Sequence, residues 1–244
     1  MEIKIAVLIL IALMLLTGCS TPITSPTATI DPALVQRAEA VARGWRDAHF
    51  TLDVELRHPL LSDTLAIESW YVRPDRLRLE VLESTHLNFK GVMSASRGES
   101  GWTYNPMGQR VDVGPTSAIK PAVLYDMVLS TVRLFFAEDV GKVDTVSADH
   151  VNENVAFRLG LSRESGTCSL WVRQDSLLPL KARCDSKSLG RYTVTVREAE
   201  HNLGLTDDLF EVDFLPGGPV VLHGARRSDP IVVSFRSISC QAAS

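Results

Sequence analysis

Residues 121–136 carry a helical pattern that few folds can accept. The polar stripe of that segment is only Asp126, Ser130 and Arg133. Val123, Leu124, Met127, Val128, Leu129, Val132, Leu134, Phe135 and Phe136 occupy the rest of the circumference. A helix apolar on most sides must be covered on most sides, between layers of a domain or along an apolar cavity. The run is also too short and too interrupted to span a membrane, which takes about 20 apolar residues.

Around this helix the chain alternates with period two. Leu52, Val54 and Leu56 alternate with Thr51, Asp53 and Glu55. Leu77, Leu79 and Val81 alternate with Arg76, Arg78 and Glu80, the mark of a strand with one face buried. Similar signals cover 65–72, 91–96, 101–104, 109–113, 142–149, 155–161, 167–173, 179–185, 191–198 and 210–214, with a late one at 231–235. Asp31-Pro32 starts a first helix, in which Leu34, Ala38, Val41 and Trp45 recur at helical spacing to about Asp47. The order helix, strands, helix, strands predicts an α+β domain, an antiparallel sheet with helices on one face. An apolar content of 45% suits a well-filled core.

Cys168 and Cys184 flank a hairpin whose turn centres near Ser176, and they fall opposite one another with matching parity. Such neighbours are close enough for a disulfide, which would contribute about 3 kcal/mol in the chain-entropy model. Two buried free thiols are the alternative. Cys240 is left without an assigned role.

The N-terminus sets the compartment. Residues 1–4 form a short n-region, and 5–16 form an unbroken apolar run of signal-peptide length. Leu16-Thr17-Gly18-Cys19 then resembles the bacterial lipobox. That resemblance implies removal of residues 1–18 and lipidation of Cys19, with acyl chains such as palmitate as the membrane anchor. An uncleaved anchor, or an ordinary signal peptide with a chance cysteine, is the alternative. Residues 19–30, rich in Ser, Thr and Pro, read as an extended tether. The expected location is extracytoplasmic, on the cell membrane or on an outer membrane if the host has one. An oxidising compartment also permits the disulfide. The net charge of −4 and the lack of a basic stripe argue against nucleic acid as a partner.

Catalytic and metal motifs are missing from the sequence. His49, His58, His86, His150, His201 and His223 show no metal-ligand spacing. There is no Gly-x-Ser-x-Gly, no phosphate loop and no Cys-x-x-Cys. The expectation is a protein that is not an enzyme, with no catalytic residues, no metal and no cofactor.

Trp70-Tyr71-Val72-Arg73-Pro74-Asp75-Arg76-Leu77-Arg78-Leu79-Glu80 resembles the opening of LolA-like proteins, the group that includes LolA, LolB and RseB. Gly101-Trp102-Thr103-Tyr104-Asn105-Pro106 is similar to the family's Trp-x-Tyr-x-Pro strand and turn. Leu209-Phe210 with Pro216-Gly217-Gly218 is similar to its closing segment. The resemblance spans about 34–221 and implies one lipid-binding domain at 31–222, followed by a C-terminal extension at 223–244. It implies a strongly curved antiparallel sheet, an incomplete barrel, with helices covering the concave face and an apolar cavity between them. The partners implied are a lipid or acyl chains, or another lipoprotein or membrane protein. Strand and helix parity makes Leu52, Val54, Leu56, Leu77, Leu79, Val81, Val123, Leu124, Met127, Val128 and Phe135 the candidate cavity lining.

Overall fold

The computed structural model describes residues 31–58, 61–85, 88–116, 122–212 and 220–223. Cys19, the tether, Cys240 and the late strand signal at 231–235 lie outside the described residues. Helix α1 (Pro32–Arg43) is capped by the Asp31 carboxylate, which accepts from Ala33 N. It precedes six strands: β1 (Asp47–His58), β2 (Leu61–Val72), β3 (Arg76–Ser84), β4 (Met93–Arg97), β5 (Ser100–Asn105) and β6 (Arg110–Pro115). Helix α2 (Ala122–Phe135) follows. Five more strands come next: β7 (Lys142–Val151), β8 (Asn154–Arg163), β9 (Gly166–Arg173), β10 (Pro179–Ser186) and β11 (Gly190–His201). A short 3-10 turn (Asp207–Phe210) and β12 (Val220–Leu222) end the order.

The twelve strands of the described residues belong to one open sheet, in the order β12-β6-β5-β4-β3-β2-β1-β11-β10-β9-β8-β7. Pairing is antiparallel except between β12 and β6. The sheet is strongly curved, an incomplete barrel. Register shifts at Thr51/Leu52, Ala66/Ile67, Val143/Thr145 and Pro179/Lys181 contribute to the bend, because an extra residue on one strand kinks it and raises its twist.

Register explains why one face is dry. Leu65, Val54, Val194, Ala182, Leu170, Leu159 and Val146 form a single cross-strand row from β2 to β7. Every member of that row is buried. The neighbouring row runs Leu56, Tyr192, Cys184, Cys168, Leu161, and Cys168 and Cys184 are joined in a disulfide with Cα atoms 4.1 Å apart. Against these rows lies α2, burying Leu124, Tyr125, Met127, Val128, Thr131, Val132, Leu134 and Phe135. Phe136, fully buried, packs edge-on to Trp45 at 5.5 Å and to Tyr71 at 4.7 Å. Such edge-to-face pairs stabilise beyond their buried area.

Two sequence expectations need correction. The first helix ends at Arg43 rather than near Asp47, because the Gly44 backbone N–H closes the last turn onto Ala40 O and Val41 O, and β1 begins at Asp47. Of the expected strand at 210–214, Phe210 instead ends the 3-10 turn, and 213–214 lie outside the described residues. The buried Asp47 carboxylate accepts from three consecutive amides, Leu203, Gly204 and Leu205, at 2.6, 3.1 and 3.3 Å. That capture turns the chain off β11 and sends it as a strap over the outer face. There Arg78 donates to Leu209 O and Trp102 Nε1 to Phe210 O, both at 2.9 Å. Val212 completes a second small core with Ala95, Trp102 and Val111.

Strand β12 is fastened by a carboxylate. His223 Nε2 lies 2.5 Å from Asp112 Oδ1, and Arg110 donates to the same oxygen. Burial pushes the Asp112 carboxyl up, but the hydrogen bonds from Arg110 and His223 outweigh it and hold the group below the usual carboxylate range. A folded-state pKa below the unfolded one adds stability that is complete above the unfolded value and is lost as pH falls through the folded one. Asp112→Asn should therefore flatten the acid limb of the melting-temperature profile between about pH 5 and pH 2. It should also speed amide exchange at residues 221–223. Phe136→Ala should destabilise the fold by about 3–5 kcal/mol in urea unfolding.

Candidate functional site

The candidate lining residues converge, and what they build is packed core. Leu52, Val54, Leu56, Leu77, Leu79, Val81, Leu124, Met127, Val128 and Phe135 are each at most 2% exposed and share one cluster. Val123 is the exception, at 38% exposed. It stands three residues before Asp126 and seven before Ser130, which places it on the polar stripe that meets solvent. Of the eleven, Phe135 also borders an apolar cleft.

That cleft lies between α1, the end of α2 and the inner face of β7–β10. Val35, Ala38 and Ala42 come from α1, Leu134 and Phe135 from α2, and Val143, Leu159, Leu170 and Val172 from the sheet. Leu177, from the turn between β9 and β10, and Pro179, the first residue of β10, close one end. Glu39 is the only charged residue on its border, and its carboxylate is held by Arg43 at 2.8 Å. The cleft volume is 30 Å³. That is about one water molecule's share of the liquid. The sheet contribution comes from the alternating pattern at 155–161 and 168–172, which was visible, but its pairing with α1 had no local signal.

Polar chemistry gathers at the other end of the hollow. The inner faces of β4 and β5 carry buried Ser94, Ser96 and Thr103. Ser94 and Thr103 hydroxyls are 2.8 Å apart, and Ser96 bonds the Tyr125 hydroxyl. Burial pushes the Tyr125 phenol up to about 12, so it stays protonated at neutral pH. These groups satisfy one another and present no activated nucleophile. Among the described residues no group of three or more His, Cys, Asp or Glu gathers to hold a metal. No helix among them is long and apolar enough to cross a membrane. His49 stacks on Trp70 and His201 on Trp45, and His223 bonds Asp112, three separate places.

The open, curved sheet with a helix in its hollow is the α+β layout, an incomplete barrel, expected from the sequence. No protein-family model and no curated protein matches the chain. Among solved structures, an uncharacterized conserved protein from Thermus thermophilus shares the fold at 13% identity, with 78% of this chain covering 99% of that one and a TM-score of 0.51. Lower-scoring likenesses include a LolA superfamily protein from Nitrosomonas europaea, at 13% identity, 74% and 98% coverage and a TM-score of 0.40. LprF from Mycobacterium bovis aligns at 11% identity, 71% and 93% coverage and a TM-score of 0.44. Likenesses of this size concern the fold and leave the function to the chain's own residues.

The disulfide stiffens the sheet wall of this half of the hollow. Replacing both cysteines, Cys168→Ala with Cys184→Ala, should cost about 3 kcal/mol, as loop-closure entropy predicts for a separation of 16 residues. Urea midpoints with and without reductant check this. Reductant should destabilise the parent and leave the double variant unchanged.

Proposed function

We propose that this chain is an extracytoplasmic lipoprotein, lipidated on Cys19, that holds a lipid or an acylated lipoprotein in the cleft beneath α1. The observation that carries this reading is an almost entirely apolar cleft closed by a helix with few anchors. Helix α1 buries only Leu34 and Ala38, and Arg73 reaches its last turn by donating to Ala42 O at 3.1 Å. A cleft of 30 Å³ takes an acyl chain only when α1 lifts. Lifting exposes Val35, Ala38, Leu159 and Leu170 along a continuous apolar trough. An apolar trough retains a lipid tail without any catalytic group.

A second reading is favoured by the same tight packing. An interior already filled by side chains suits a regulatory or scaffold protein of the RseB kind, which contacts a membrane protein and need not open. Native mass spectrometry of the protein purified from its own host separates the two. Bound lipid, with uptake of a fluorescent fatty acid, supports the carrier. Ala38→Phe, which fills the space under α1, should then abolish the uptake while the domain still melts cooperatively. An empty protein that takes up no fatty acid and co-purifies with a membrane protein supports the regulator.

A further inference from the structure

The outer face of the sheet, opposite the cleft, carries a groove that the apolar interior does not explain. It crosses β7–β11, and its volume is 420 Å³. A smaller depression of 170 Å³ shares Arg183 and Arg191 with it and extends toward β1. Register builds both. Gly160, Ser169, Arg183 and Thr193 form one cross-strand row from β8 to β11, and Ser162, Thr167, Asp185 and Arg191 form the next. Side chains alternate across a strand, so these residues face away from Leu159, Leu161, Leu170 and Cys184. Glycine and short hydroxyl side chains make a low floor. Long cationic side chains stand over it.

The charge on this face is concentrated against the trend of the chain, whose net charge is −4. Arg57, Arg158, Lys181, Arg183 and Arg191 line the two depressions, against Glu55, Asp144 and Asp185. The carboxylates are partly occupied. Asp185 holds Arg191 at 3.0 Å, Glu55 lies 3.7 Å from Arg57, and Asp144 accepts from Ser162 and sits 3.3 Å from Lys142. Arg158 spreads over the Trp171 ring and donates to Ser169 Oγ at 3.1 Å. Arg183, exposed at the centre, has no hydrogen-bond or ion-pair partner among the described residues.

We propose that this groove binds the phosphate headgroup of an anionic phospholipid, with Arg183 as the central ligand and Arg158 and Arg191 at its sides. A guanidinium matches phosphate oxygens with paired N–H donors, and a planar fork loses little freedom on binding. The volume falls in the range of small-molecule sites and far exceeds a bare ion. The lining is polar, so the acyl tails stay in the bilayer and the outer face of β8–β11 seats on an anionic surface. This contact is separate from the cleft under α1 and stands or falls without it.

The test uses the full chain in neutral maltoside micelles, titrated with soluble dihexanoyl phosphatidylglycerol. Dihexanoyl phosphatidylcholine and inorganic phosphate are titrated in parallel. Saturable binding of the phosphatidylglycerol, weakened by salt, with little binding of the other two, is the expected result. Arg183→Ala should weaken it at least about tenfold, the loss of one charge-assisted hydrogen bond. Charge reversal, Arg183→Glu, should remove it. Fatty-acid uptake and melting temperature should stay at parent values in both variants, because Arg183 is exposed and far from the cleft lining. Equal binding of the two lipids, inorganic phosphate binding as tightly as phosphatidylglycerol, or unchanged affinity in both variants would overturn the proposal.

Discussion

The hollow of this sheet holds an apolar helix, and such a helix has to end somewhere. Its last carbonyls have no partner within the helix. The chain meets this demand at one small polar knot. Ala137, at φ 54°, turns left-handed, so that its N–H returns to Leu134 O and that of Glu138 to Arg133 O. Arg73 then donates to Phe136 O and to Ala42 O, joining the ends of α2 and α1. Glu138 lies 3.4 Å from Arg73 and 3.6 Å from Arg133. The Tyr71 hydroxyl is 2.6 Å from both Glu138 Oε2 and Pro74 O. Burial, and then Glu138, push the Tyr71 phenol up, so it remains a donor. Both helices, the β2–β3 turn and the aromatic cluster around Phe136 are placed by this knot.

From that fixed end the hollow divides by the chemistry of its rows. Between β1 and β7–β11 the inner face is aliphatic, and it forms the cleft under α1. Toward β4–β6 it is lined by Ser94, Ser96 and Thr103, whose hydroxyls need partners and find them in each other and in Tyr125. A polar wall so satisfied is no place for an acyl chain. The division therefore leaves the aliphatic half as the one that borders the cleft. It also explains why α1, with its narrow apolar stripe, lies over the aliphatic half.

Much of this was legible in the residues, and the failures have physical causes. Period-two alternation marked Leu77, Leu79 and Val81, because a strand with one wet face must alternate. Val123 is apolar in type, yet its spacing to Asp126 and Ser130 puts it on the wet stripe. Cavity lining could not be told from core, since both ask for the same buried aliphatic residues. The strap after β11 was hidden because its cause is distant: Asp47, at the start of β1, captures amides more than 150 positions later. Long-range capture of backbone by a carboxylate leaves no periodicity behind.

The β9–β10 hairpin joins the inner cleft to the outer groove. Inward it carries Leu170, Val172 and Pro179 to the cleft. Outward it carries Ser169 and Arg183 to the cationic groove. The same strands cannot shift register for one surface without turning the other inside out, because a slip of one residue exchanges the faces. The disulfide between Cys168 and Cys184 forbids that slip. An anionic bilayer met by the outer face and a lipid tail held by the inner one would thus share a single wall, locked in register. The cross-link joins β9 to β10, toward the β7 end of the sheet, and so fixes which residues of both strands face inward and which face outward.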